Sequence, residues 1–126
     1  MKKRIILCNE VPAYFEPIKD RVEHSDLIVE VVYARSHEEA LSLTPNKDQC
    51  LIITDSVVPG EGVKNATDGA LILLKNVKDK NKNCVVVLYA MEILPIDVVK
   101  FDTFINSCGE NSFNLLFKKI VFFCKN

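Results

Sequence analysis

The sequence predicts an α/β fold, a three-layer sandwich with a five-stranded parallel sheet between two layers of helices. Short apolar runs rich in β-branched residues alternate with segments whose apolar residues recur at helical spacing. At 126 residues, the chain is of single-domain length. Apolar residues make up 48% and charged residues 26%. That excludes a disordered chain, which would be poor in apolar residues and rich in net charge.

The first strand is Arg4–Cys8. Its apolar stretch is too short for a secretory signal, and Asn9-Glu10 closes it. Pro12 to Glu23 carries Phe15, Ile18 and Val22 at helical spacing. Pro17 removes one backbone hydrogen bond, so this helix is either kinked or starts late. Leu27–Tyr33 is the second strand. Ser36 to Leu43 is a helix opening on Ser36-x-x-Glu39, a capping box. Cys50–Thr54 is the third strand. Thr67 or Asp68 caps a helix that runs to about Lys78, with Leu71, Leu74 and Val77 or Lys78 along its buried stripe. Cys84–Ala90 is the fourth strand. Leu94–Phe101 is a short helix with Pro95 in its first turn. Thr103–Asn106 is the fifth and weakest strand, and Asn111–Cys124 the last and most apolar helix.

The first four strands are apolar on both faces, as strands of a covered parallel sheet are. Strictly alternating strands and helices imply right-handed crossovers. Five strands in so short a chain suggest the flavodoxin-like order 2-1-3-4-5. No internal repeat or linker interrupts the pattern.

Sixteen basic and seventeen acidic residues give a formal charge of −1. No basic excess exists to drive phosphate-backbone binding, and no helix-turn-helix is visible, so nucleic acid is not an expected partner. No apolar run approaches the ~20 residues that span a bilayer, so no membrane role is expected. The five cysteines, Cys8, Cys50, Cys84, Cys108 and Cys124, are odd in number and none are at C-x-x-C spacing. They read as reduced thiols in a cytoplasmic protein. His24 and His37 read as surface residues.

Sheets of this order place their sites at the carboxyl ends of the strands, at the switch point between strands one and three. That rule picks out Asn9, Glu10, Asp55 and Tyr89. No glycine-rich phosphate loop follows strand one, where Asn9-Glu10-Val11-Pro12 stands. Neither histidine lies at a strand's carboxyl end, so no His-based triad is available. No base is identifiable beside Ser107 or Cys108. The chain is therefore not expected to be an enzyme.

The stretch Leu51-Ile52-Ile53-Thr54-Asp55-Ser56-Val57-Val58-Pro59-Gly60 is an apolar strand, an Asp, and a Pro four residues later. It resembles the receiver domain of two-component response regulators. Asp68-Gly69-Ala70-Leu71-Ile72-Leu73-Leu74-Lys75 looks like the start of the receiver's third helix. Val85-Val86-Val87-Leu88-Tyr89-Ala90 looks like the strand that carries the receiver's switch hydroxyl. The resemblance covers essentially the whole chain and implies a single receiver-like domain over residues 1–126. It implies that Asp55 is the phosphoacceptor. Glu10, Asp55 and the backbone carbonyl of Val57 would hold Mg²⁺, and Tyr89 takes the switch position. The chemistry is attack of a carboxylate on a phosphoryl group, with the metal neutralising the charge.

The chain departs from the family pattern in four ways. Asn9 replaces one acid of the strand-one pair. Tyr89 replaces the shorter Thr or Ser. No Lys or Arg occurs in Asp102–Phe117, where the family has a Lys after strand five, and Ser107 or Cys108 falls nearest that place. The loop Gly60–Thr67 is longer than usual and contains Glu61 and Lys64.

At ~100° per residue, Phe113, Leu116, Phe117, Ile120, Phe123 and Cys124 of the last helix face the sheet. Leu115 and Phe122 fall on the outer side, among Lys118, Lys119 and Lys125. Two apolar residues on one outer stripe suggest a contact with an output protein or a second copy. In receivers, the face made by the last two helices and the last strand commonly carries such contacts. The expected function is a receiver-like signalling protein that switches or presents this surface, phosphorylated by a histidine kinase or a phosphotransfer protein. The alternative is a phosphorylation-independent pseudo-receiver serving as an interaction or dimerisation module.

Overall fold

The computed structural model describes residues 3–56, 60, 68–90 and 100–126. The strands are β1 (Arg4–Cys8), β2 (Glu30–Ala34), β3 (Cys50–Thr54), β4 (Val85–Ala90) and β5 (Thr103–Asn106). They form one parallel sheet in the order β2-β1-β3-β4-β5. The helices are α1 (Glu16–Glu23), α2 (His37–Leu43), α3 (Asp68–Lys80) and α4 (Ser112–Lys125).

The alternation of side chains along each strand divides the core into two layers. Ile6, Cys8, Ile52, Val86 and Leu88 pack with Ala40 of α2 and with Leu73, Leu74 and Val77 of α3. Ile5, Leu7, Leu51, Ile53 and Val87 pack with Ile18 and Val22 of α1 and with Leu116 and Ile120 of α4. The central strand β3 is buried along its whole length, which is why its sequence is an unbroken apolar run.

Pro17 settles the first helix. Pro12–Phe15 forms a 3-10 turn, and the α-helix starts late, at Glu16, with Pro17 in its first turn. There the missing N–H costs nothing, because first-turn donors have no intrahelical partner. Ser36 caps α2 through its side chain, which accepts from the Glu39 N–H at 3.1 Å. The reciprocal bond of the capping box is displaced by one residue, since the Glu39 carboxylate takes the Arg35 N–H at 3.0 Å. The buried stripe of α3 is Ala70, Leu73, Leu74 and Val77, with Leu71 at its margin.

Three expectations are corrected. The second strand starts at Glu30, not Leu27, and it is half-buried because it forms the sheet's edge; Ile28 is 89% exposed. The fourth strand starts at Val85, one residue after Cys84. His37 is a buried residue, not a surface one, at 5% exposure. It lies at the start of α2 with its Nε2 bonded to the Asn76 side chain of α3 at 2.8 Å, a bridge between the two helices on that face. The helix expected over Leu94–Phe101 lies outside the described residues but for its last two.

Two lysines tie helix ends to the sheet. Lys3 Nζ donates to the Phe123 and Cys124 carbonyls at 2.7 and 2.9 Å, satisfying the C-terminus of α4. Lys78 Nζ bonds the Cys84 carbonyl and Asp102, whose Oδ2 also accepts the Val86 N–H at 2.7 Å. Among the described residues, no helix is long and apolar enough to cross a membrane.

Candidate functional site

The register pairs Cys8 with Thr54, so the next residue on each strand, Asn9 and Asp55, emerges side by side at the carboxyl edge. Two backbone bonds continue the ladder past the strand ends: Asn9 N–H donates to the Ala34 carbonyl at 3.0 Å and Asp55 N–H to the Cys8 carbonyl at 3.4 Å. Both residues are thus fixed by the central strands, while their side chains enter the space above the sheet.

The described residues that bond the Asp55 carboxylate are neutral. Its Oδ1 accepts the Ser56 N–H at 2.6 Å and the Ser56 hydroxyl at 3.4 Å. Its Oδ2 accepts the Asn9 Nδ2–H at 3.4 Å, a long and weak bond. The Asn9 Oδ1 is engaged by the Val11 N–H at 2.8 Å. That bond sets the amide's orientation and leaves an N–H, not an oxygen, facing Asp55. Among the described residues, no ion pair involves Asp55.

Below the site, Cys8 is buried, and burial pushes its thiol up to about 12. Its oxygen neighbours are the Ser36 carbonyl and Thr54. Such a thiol is inert at neutral pH.

Glu10 is exposed in the bend that leads to Pro12. Tyr89 is half-buried, and its hydroxyl lies 3.4 Å from the Ser112 Oγ at the start of α4. Ser112 in turn donates to the Ser107 carbonyl at 3.0 Å. The structure therefore brings Asn9 to Asp55 and Tyr89 to the start of α4. Val57 and Lys64 lie outside the described residues. Leu115 and Phe122 are exposed on α4, at 50% and 63%, with Lys119 Nζ 5.7 Å from the Phe122 ring centre. The inward face of α4 is as the spacing predicts: Leu116 and Ile120 are buried, and Phe113, Phe117, Phe123 and Cys124 pack beside them.

The sequence did not point to Tyr14. Its ring meets Phe15 edge-on at 5.1 Å, and burial pushes its phenol up, opposed in part by the nearby Ser107 hydroxyl and assisted by Asp55 and Tyr89. An aromatic residue inside a 3-10 turn carries no sequence pattern that marks it as part of a site.

A magnesium ion takes oxygen ligands, commonly one or two carboxylates with several waters. Asp55 and Glu10 are carboxylates at the carboxyl edge of the sheet, of the type such an ion takes. Asn9 contributes no oxygen in its present orientation. Among the described residues, no group of three or more His, Cys, Asp or Glu side chains is gathered to hold a metal.

No family model and no curated protein matches the sequence. Solved structures do match its fold. A CheY-like response regulator receiver domain protein from Methanospirillum hungatei superposes with a TM-score of 0.75 at 18% identity, covering 99% of this chain and 96% of that one. A response regulator from Thermotoga maritima gives 0.71 at 16% identity over the full length of both chains. A second Thermotoga maritima response regulator, solved in complex with magnesium and beryllofluoride, gives 0.69 at 21% identity, covering 98% and 99%. This chain has the fold of response-regulator receiver domains.

Proposed function

We propose that this chain is a receiver-like signalling module that presents a partner-binding surface, with Asp55 as its phosphoacceptor. The observation that carries the reading is the placement of Asp55. It stands at the carboxyl end of the central strand β3, part-buried, and among the described residues its Oδ2 is met by one bond at 3.4 Å. A carboxylate so placed is fixed by the sheet and is open to an electrophilic phosphorus. Mg²⁺ would bind Asp55 and Glu10, with the Val57 carbonyl as a third ligand, and would supply charge neutralisation during phosphoryl transfer. A histidine kinase or a phosphotransfer protein would be the donor. The response would pass through Tyr89, whose hydroxyl already contacts α4 through Ser112, to the outer face that carries Leu115 and Phe122. An output protein or a second copy would dock there.

A second reading is favoured by the Asn9 amide. It puts a neutral donor against Asp55 and removes one of the family's acids. On that reading the protein is a pseudo-receiver, and the α4 face is presented constitutively.

Intact mass after incubation with Mg²⁺ and acetyl phosphate separates the two. The first reading expects a gain of one phosphoryl group, lost in Asp55→Asn, with beryllofluoride shifting NMR signals from Asp55 to α4. Absence of both effects would establish the second.

A further inference from the structure

Beside Tyr89, on the face of the sheet covered by α1 and α4, lies a cavity of about 260 Å³. It does not include Asp55. Its walls are aromatic: Tyr14, Phe15, Tyr89 and Phe113. Phe15 and Tyr89 stand 6.3 Å apart at 45°, and Tyr14 meets Phe15 edge-on. Ile18 and Leu116, at 3% and 1% exposure, contribute apolar surface. Among the described residues, no charged side chain lines the space.

Among the described residues, one buried polar atom of the lining, Ser107 Oγ, has no hydrogen-bond partner. A buried hydroxyl without a partner is uncommon, because desolvation is then uncompensated. The nearby hydroxyls do not satisfy it. Ser112 Oγ is committed to the Ser107 carbonyl, and the Tyr89 hydroxyl faces Ser112 at a long 3.4 Å. Ser107 lowers the Tyr14 phenol against the effect of burial, as a nearby hydroxyl donor would, but no contact of 3.5 Å or less joins the two hydroxyls, so any bond between them is long and weak.

Aromatic walls favour a ring, which can stack or meet them edge-on. The absence of a charged wall argues against an ion, whose desolvation would have no counter-charge. An unpartnered hydroxyl calls for one polar group on the occupant. We propose that this cavity is a binding site for a small neutral aromatic molecule with one hydroxyl or N–H group, of the phenol or indole class. The ring lies against the aromatic walls, and its polar group bonds Ser107 Oγ. The site does not require phosphorylation of Asp55 and is proposed whichever reading of Asp55 holds, although Tyr89, one of its walls, is the residue through which a phosphorylation response would pass.

The protein has no tryptophan, so the emission of added indole can be followed without interference. The test titrates indole, phenol and toluene into the full chain, following indole emission and backbone NMR shifts. Saturable binding of indole and phenol is expected, with a blue-shifted indole emission and NMR shifts clustered at Tyr14, Tyr89, Ser107 and Leu116. Ser107→Ala is expected to weaken phenol and indole roughly three- to tenfold and to leave toluene unchanged. Ser107→Leu, which fills the cavity, should abolish binding of all three. If that variant does not fold, the alanine variant and the shift map decide the matter. The proposal is overturned if no probe saturates at millimolar concentration. It is also overturned if the shifts gather elsewhere, such as around Phe122, or if Ser107→Ala binds indole as tightly as the parent.

Discussion

Asn9 donates its side-chain N–H to the carboxylate of Asp55, 46 residues further along the chain, at 3.4 Å. The partner group on Asn9, its Oδ1, is held by the Val11 N–H at 2.8 Å. A neutral amide so oriented offers a weak donor to Asp55 and no ligand to a cation. The arrangement explains how a part-buried carboxylate stands among the described residues without an ion pair: Ser56 and Asn9 supply three neutral donors.

Asn9→Asp should reverse this balance. Two carboxylates on neighbouring strand ends repel, so the metal-free variant should lose about 1 kcal/mol of stability. Mg²⁺ should restore it, binding at least about tenfold more tightly than to the parent, because a second anionic oxygen is then available. Thermal melts with and without Mg²⁺, with a calorimetric titration, measure both effects. Equal Mg²⁺ affinity in the two proteins would mean that Asn9 does not border the cation site.

Lys3 joins the start of the sheet to the end of the last helix. Its ammonium satisfies two terminal carbonyls of α4 and lies 5.5 Å from the Phe123 ring centre. Lys3→Met keeps the apolar stem and removes the charge. The expected loss is about 1 kcal/mol, the usual worth of a cation at a helix C-terminus. A urea midpoint that does not move would show that water replaces the ammonium without cost.

Much of this was legible in the sequence, for physical reasons. β1 and β3 are buried on both faces, so their apolar runs could hardly be read otherwise. Their ends then placed Asn9 next to Asp55. The edge strand was misread by three residues because Leu27, Ile28 and Val29 continue an apolar run. Only tertiary context shows that Ile28 points to solvent. His37 was misjudged because a histidine at a helix start looks solvated. Its partner Asn76 is 39 residues away, at a distance no local pattern reports. Ser107 was visible, with Cys108, as falling nearest the missing lysine, but the burial of its hydroxyl depends on the residues that line the cavity beside it, Tyr14 and Phe113 among them.

Gly60 is required by that same histidine. A Cβ on Gly60 would lie 2.5 Å from the His37 Cβ and 2.9 Å from its Nδ1. Gly60→Ala should cost about 1–3 kcal/mol, the usual penalty for overpacking. The tightest contact is with the Cβ, not the ring, so His37→Ala should not rescue it. Chemical denaturation of the two single variants and the double variant tests the point. Full rescue in the double variant would place the clash on the imidazole instead.

The buried thiol of Cys8 predicts an alkaline limit to stability. Its pKa rises from 9.0 to about 12 on folding, chiefly through burial. Below pH 9.0 both folded and unfolded chains hold the proton, and the native state keeps its full advantage. Between 9.0 and about 12 the unfolded chain releases the proton while the folded chain retains it. Stability then falls as pH rises, by up to about 1.4 kcal/mol per pH unit from this group. The thiols of Cys84 and Cys124 and the Tyr14 phenol are also raised, so they steepen the fall. Urea denaturation at pH 8 and at pH 10.5 measures the slope, and Cys8→Ala isolates one contribution. The alanine variant loses packing at every pH, but its stability should fall less between the two values than that of the parent. Equal falls in the two proteins would mean that Cys8 ionises in the folded chain as readily as in the unfolded one, and that water reaches the underside of Asp55.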